Sequence, residues 1–532
     1  MTNDQTFAPF LESHLRTVVP LNKESALAGW EAATTGSPEA EARVEALDIR
    51  MGEIFANPES YALLKSLEGG EWDDPHLQRQ HHFLLNAFTG SQVDHETIVE
   101  AARLDTLLRT AFNTHRGVVG GKEVSDGDLK DILRNSDDQS LRKTAWEAGK
   151  AIGPKVRDTV MEFVALRNRT AAKLGFSDYY TMSLTLQDLD VDRVFRFLDE
   201  LEAASDGPWS RVKAGLDAKL AGRFGIAVED LRPWHYQDPF FQEAPPSEAD
   251  LDRFYDGKDM EQIAKAFFGE MDLPADEILA KSDLYERPGK NQHAFCTDID
   301  HEGDVRTMCN LRPKAASMGT LCHELGHGVY AKGYDFNLPW MLRRAAHGLM
   351  TEAVAILMEY FPRKGAWLER YAGADPVHAT AAEALSAREQ AVADLTIVRW
   401  FLVMCHFERA LYANPNQDVD TLWWDMVERF QKVNRPDNRH APDWCAKIHL
   451  ALWPAYYHLY PLGGCVASQL RNVMRNRFPK AEQGLGDDSF GCFLSTEIFR
   501  HGAVLPWEDL LEKATGERLT TKYWAEEWNR SV

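Results

Sequence analysis

The chain has 532 residues, 44% of them apolar, and carries 82 acidic against 59 basic side chains for a net charge of −23. That composition can fill a large core, while so acidic a surface repels phosphate backbones and anionic membranes and argues against a nucleic-acid or membrane partner. The opening stretch MTNDQTFAPFLESHLRTVVP has no basic block followed by an apolar run, no uninterrupted apolar segment of about 18 residues occurs, and the seven cysteines never stand in CxxC spacing, so the expectation is a reduced, cytoplasmic chain with neither secretory leader nor transmembrane helix.

Helical periodicity dominates from the start. Residues 38–66, 156–174 and 192–224 place apolar side chains three and four apart, with charges between them. Residues 232–249, with Pro233, Pro239 and the pair Pro245-Pro246, form the clearest interior loop, and turn residues cluster again at 285–292. The run DVRTMCNLRP at 304–313 alternates enough for a short strand. It precedes 316–332 (ASMGTLCHELGHGVYAK), which reads as a helix despite its glycines. Helices are expected over 346–361, 380–411 and 420–433, with turns at 413–419 and 434–443. No repeat and no long linker divides the chain, so it reads as one all-α unit, 1–532, with two helical lobes and at most a small strand element beside the 316–332 helix.

The chemistry concentrates in His323-Glu324-Leu325-Gly326-His327. Two histidines four apart share one helix face, so both imidazoles can reach a single Zn²⁺. Glu324, one position on, is displaced around the helix and can face a metal-bound water without competing as a ligand. Zinc lowers the pKa of such a water to about 7, and a carboxylate then takes its proton. Catalytic zinc needs a third protein ligand and keeps one position open. The stretch GVYAKGYDFNLPWM after His327 offers neither His nor Glu. In the next helix Glu352 interrupts an apolar run, which is costly unless the carboxylate is paired or ligated. Glu359, seven residues on and on the same face, and His347 are the other candidates.

The motif HELGH, an interval of 24 residues and then TEAVAILME resemble the gluzincin peptidases of the angiotensin-converting-enzyme family. The likeness extends to WWDMVERFQ at 423–431, AKIHLALWPAYYHLY at 446–460 and EIFRHGAVLPWEDLLEKATG at 497–516; it is clear over 285–520 and faint before. The resemblance implies a two-lobed helical ellipsoid with a deep central substrate cleft, residues 1–230 covering the cleft and 285–520 carrying zinc and substrate. It assigns one Zn²⁺ per chain to His323, His327 and Glu352. Glu324 would activate water and later protonate the leaving amine. His293, 30 residues before His323, would bind a substrate carbonyl, and Ala294 would offer backbone groups to an extended peptide. Lys447 and Tyr456 would grip the substrate's terminal carboxylate, His449 would bind a carbonyl of the C-terminal dipeptide, and Tyr460 would stabilise the oxyanion, with Tyr457 as the alternative. Lys447 and His449 diverge on a helix but share a face on extended chain, which favours a loop leading into a helix that begins near Pro454.

Some positions depart from the family pattern. The His327-to-Glu352 interval is one residue longer than usual and nearer that of the thimet oligopeptidases. Four residues after the Glu ligand the family has an Asp that orients a zinc-bound histidine; here Ile356 stands there, so another group must do this. Tyr460 reaches the oxyanion position only with one inserted residue, and Leu459 and Pro461 flank it where the family has a chloride-binding Arg. The run HAF…DVR at 293–306 is reminiscent of a zinc carboxypeptidase family. The function expected is a zinc-dependent peptidyl-dipeptidase that takes oligopeptides with a free C-terminus. The alternatives are a related zinc oligopeptidase or carboxypeptidase, or a non-catalytic peptide-binding protein; the last predicts a broken ligand set, whereas all four core residues are present.

Overall fold

The computed structural model describes residues 2–245 and 248–532; Pro246 and Ser247, within the loop expected over 232–249, lie outside the described residues. Among the described residues the fold is all-α with two short antiparallel strand pairs. The chain forms two compact units, each assembled from three stretches: unit 1 from Met1–Gln92, Glu248–Ala387 and Leu462–Trp524, and unit 2 from Val93–Ser247, Arg388–Pro461 and Ala525–Val532.

In unit 1 the first helix, Asp4–Thr35, packs on Pro38–Phe55 and Pro75–Ser91. Phe7, Leu11, Leu64, Leu84 and Phe88 form a buried cluster there. The single helix expected over 38–66 is two, Pro38–Phe55 and Pro58–Ser66. Pro58 has no N–H to continue the first, and the Asn57 side chain accepts the Ser60 N–H at 2.8 Å to start the second. The strand expected within 304–313 is Val305–Met308, and it pairs with Phe295–Asp298, which the alternation pattern does not reveal. This hairpin and the helix Gly348–Tyr360 both pack on the helix Ala315–Lys332.

Unit 2 carries His95–Thr114, Gln139–Lys150, Gly153–Lys173 and the long Val191–Phe224. A second strand pair, Gly117–Val119 with Lys122–Val124, lies outside the expected strand element. Its turn is Gly120-Gly121, both at positive φ, as a two-residue hairpin of this hand demands. The helix Pro376–Ala413 is long and apolar enough to cross a membrane by length and composition, and 67% of its most apolar window is buried inside the protein. The expected 420–433 helix is α-helical over Val419–Met426 and passes into a π-turn, Val427–Gln431, that Lys432 ends in the left-handed region.

Candidate active site

The site in unit 1 rests on two helices that approach closely. A side chain at Gly326, the glycine of HELGH, would put its Cβ 2.8 Å from Ala355 Cα on the helix Gly348–Tyr360. Behind Glu352 a third helix, Leu459–Arg477, comes close at Gly463, where a Cβ would meet Glu352 Cγ at 3.3 Å. The bare Gly326 lets the helix bearing Glu352 lie against the helix bearing both histidines. One ligand atom from each of His323, His327 and Glu352 then falls within 4.8 Å of the others. His323 Nε2 stands 3.8 Å from Glu352 Oε1, and His327 Nε2 stands 3.7 Å from Glu352 Oε2. These separations exceed a hydrogen bond but are close to the roughly 3.4 Å between ligands on a tetrahedral metal with bonds of about 2.1 Å. The donor set therefore fits a zinc ion.

The far nitrogens of both rings are held. His327 Nδ1 is 2.7 Å from Thr351 Oγ1, and His323 Nδ1 is 3.3 Å from Glu359 Oε2. In both rings this leaves Nε2 facing Glu352, and the Glu359 carboxylate, which can only accept, favours the His323 tautomer that leaves Nε2 a lone pair. Glu359 thus supplies the orienting carboxylate that Ile356 cannot, and it approaches the nitrogen opposite to the one Glu352 faces. His347 is occupied elsewhere: its Nδ1 accepts the Leu349 N–H at 3.1 Å and caps the helix. Thr351 was not singled out by sequence reasoning; its signal is its place just before Glu352.

Electrostatics follow from burial. Desolvation, with the neighbouring His323 charge, drops His327 to about 3, so its imidazole is neutral and free to donate a lone pair. Burial would lower His323 as well, but Glu359 and Glu352 outweigh it and raise its pKa. Glu352 is raised by burial and by Glu359, against the pull of His323. Glu324 is buried and pushed up to about 7, first by desolvation and then by Glu352 and Glu359, with His323 opposing. Three carboxylates around two imidazoles make a place where a cation is welcome, and burial with the crowding of like charges raises Glu324 as long as no cation offsets them.

His293 is exposed in the bend before Phe295–Asp298, and Ala294 is the residue that leads into that strand. Among the described residues the strand pairs on one side, with Val305–Met308. Burial disfavours the thiolate in the adjacent cysteines, lifting Cys296 to about 12 and raising Cys309 and Cys322 further.

The remaining candidates lie in unit 2. Lys447 is extended, between a 3₁₀ turn and the short helix Ile448–Leu452. Its buried Nζ donates to Gln242 Oε1 at 2.8 Å and sits over the rings of Trp400 (5.2 Å) and Phe240 (5.4 Å). Among the described residues it makes no ion pair, and desolvation takes it down to about 8. Gln242 was missed by sequence reasoning, since it lies in an irregular loop 205 residues away. That loop is firmly built: the Asp238 carboxylate accepts the N–H groups of Phe240, Gln242 and Glu243, and Gln431 Nε2 donates to Phe240 O and Phe241 O.

Beyond Leu452 the expected helix start at Pro454 is not observed. Residues 453–458 form turns, and the next helix is Leu459–Arg477. Ala455 takes φ +53°, and its N–H donates to buried Glu408 Oε1 at 2.8 Å, which no helical turn allows. His449 packs 5.1 Å from the Tyr457 ring, and burial together with Lys447 drops its pKa to about 4. Tyr457 is buried and its hydroxyl is 3.4 Å from Trp400 Nε1. Tyr460 stacks on Phe401 at 5.4 Å, and Tyr456, exposed, lies 5.5 Å from Tyr460.

Comparison with known families divides the chain differently from its motifs. Residues 1–208, where the resemblance is faint, match the family model described as Angiotensin-converting enzyme. Residues 280–530, which hold the motif and its ligands, match the one described as Peptidase family M3, in keeping with the longer His327-to-Glu352 interval. No curated protein matches the chain. Both families are zinc-dependent peptidases.

Proposed function

We propose that this chain, a zinc metallopeptidase of the angiotensin-converting-enzyme and M3 type, works as a peptidyl-dipeptidase that reads the free C-terminus of an oligopeptide and carries one zinc ion on His323, His327 and Glu352. The observation that carries the direction of attack is Lys447: an ammonium buried beside an amide oxygen, with no carboxylate at ion-pair distance among the described residues and only the longer-range pull of Asp238 and Glu243 to offset its burial. A buried charge of that kind is unfavourable until an opposite charge arrives, and a peptide's terminal carboxylate is the anion every substrate carries. Lys447 and Gln242 together can bind its two oxygens, with Tyr456 assigned to the same group by the family resemblance. The dipeptide length of the product rests on that resemblance.

When bound, zinc supplies a Lewis acid that acidifies water and polarises the scissile carbonyl. Glu324 takes a proton from the attacking water and returns it to the departing amine. The family resemblance assigns Tyr460 to the developing oxyanion and His449 to a neighbouring carbonyl, roles in which one donor is worth about 3 kcal/mol. His449 suits this as a neutral ring, because its depressed pKa keeps the imidazole uncharged. His293, Ala294 and the unpaired side of Phe295–Asp298 hold the rest of the peptide extended. The seven cysteines, all free, support a reducing, cytoplasmic setting.

A second reading, an oligopeptidase that cleaves within blocked peptides, is favoured by the Peptidase family M3 match over 280–530. Mass analysis of the products of one free peptide and its C-terminal amide separates the two. The peptidyl-dipeptidase reading predicts successive dipeptides from the free acid and little turnover of the amide; equal mid-chain cleavage of both selects the oligopeptidase.

A further inference from the structure

The segment from Ile448 to Tyr460 has its apolar side chains buried or, at Ile448, Pro454, Leu459 and Tyr460, half-buried, with two exceptions. Leu450, Ala451, Leu452, Ala455 and Tyr457 are all inside, whereas Trp453 is 45% exposed and Tyr456 43% exposed. Two large rings therefore stand out into water side by side with buried neighbours, although rings of this size supply much of the burial elsewhere in the core. The backbone that carries Trp453 is pinned. Trp453 N–H donates to His449 O at 2.9 Å, Ala451 O accepts Arg167 Nη2 at 3.0 Å, and Ala455 is fixed by Glu408. The indole is therefore presented on a rigid frame.

Its neighbours say what it faces. The Trp453 ring lies 5.5 Å from the His449 ring, and His449 is two residues from Lys447. The Arg109 guanidinium, itself paired with Asp105, lies 5.9 Å from the indole. The exposed indole is thus continuous with the group assigned to the leaving dipeptide.

We propose that Trp453 is a specificity-determining residue, a platform for an aromatic side chain carried by one of the last two residues of the substrate. This rests on the peptidyl-dipeptidase reading above. An indole accepts another ring by offset or edge-to-face packing, which favours aromatic over small aliphatic side chains beyond the area they bury. A pocket that only excluded water would rank side chains by size; a stacked platform ranks them by the presence of a ring.

The test compares free-acid peptides that differ by Phe, Leu or Ala at each of their last two positions, with kcat/KM and product masses read in the same assay. The wild-type enzyme is expected to prefer Phe over Ala by about tenfold at one position. Trp453→Ala should bring that ratio to within about twofold, and Trp453→Phe should restore most of it. Trp453→Leu keeps an apolar side chain without a ring and should lower the Phe-to-Leu ratio, and it serves if the alanine variant does not fold. Ratios in Trp453→Ala and Trp453→Leu equal to the wild type overturn the proposal. If products are not dipeptides, the functional reading itself fails; if dipeptides leave but no ratio moves, this inference fails alone.

Discussion

The two clusters that carry the chemistry are electrostatic opposites. In unit 1, Glu324, Glu352 and Glu359 are gathered around two imidazoles, and the shared response is a raised His323 and a Glu324 near 7. In unit 2, Lys447 is buried against Trp400, Phe240 and an amide, and it falls to about 8. The first arrangement calls for a cation and the second for an anion. They also differ in construction. The cation site uses side chains at helical spacing on two helices made close by glycine, whereas the anion site draws Gln242, Phe240, Trp400 and Lys447 from three distant stretches. A local repeat can specify the first; only the finished fold specifies the second.

If the two clusters divide the labour as described, one carrying chemistry and the other recognition, variants should separate them. The largest effect is expected from Glu324→Gln, which should lower kcat by about a thousandfold while zinc content stays at the wild-type level; near-normal turnover by this variant would remove Glu324 from the mechanism. Next, Lys447→Met should raise KM for free-acid peptides about a hundredfold and leave the low activity on the matching amides little changed, as measured by initial rates on the paired substrates. Glu359→Gln should weaken zinc binding about 10- to 100-fold in a chelator competition, since it holds the far side of His323 without facing the ion.

The smallest effect concerns the frame of unit 2. Buried Glu408 is pushed up to about 8 by desolvation. A folded-state pKa raised above the unfolded value means that the native state holds the extra proton, so this group's stability contribution is full below about 4.5 and is lost as pH rises toward 8. Glu408→Gln keeps an oxygen for the Ala455 N–H and removes the titration. The difference in Tm, variant minus wild type, should therefore be more positive at pH 8.5 than at pH 5; a pH-independent difference would show that Glu408 does not titrate in this window.

The helices were the most legible part of the fold because their signal is periodic. Residues 192–224 emerged as Val191–Phe224, and 316–332 as Ala315–Lys332. What the periodicity hid was punctuation: the break at Asn57-Pro58, the strand Phe295–Asp298 and the turn at Ala455. The last depends on Glu408, 47 residues away, and no local pattern records it. The same distinction holds at the site. His323, Glu324 and His327 declare themselves by spacing, and Glu352 by its polarity within an apolar helix. Thr351 and Glu359 are assigned by the nitrogen each faces, which only the packing of the two helices determines. Gln242 and the exposed Trp453 carry no sequence signal, since an amide in a loop and an aromatic after Leu452 are ordinary until the fold brings one to Lys447 and leaves the other in water.

Metal analysis of the purified protein tests the account most directly. The wild-type chain should hold one zinc equivalent, and Glu352→Gln, after dialysis against a mild chelator, should retain under about a tenth of it and lose hydrolysis. A Glu352→Gln protein that keeps its full zinc equivalent would contradict the His323, His327 and Glu352 centre on which everything else depends.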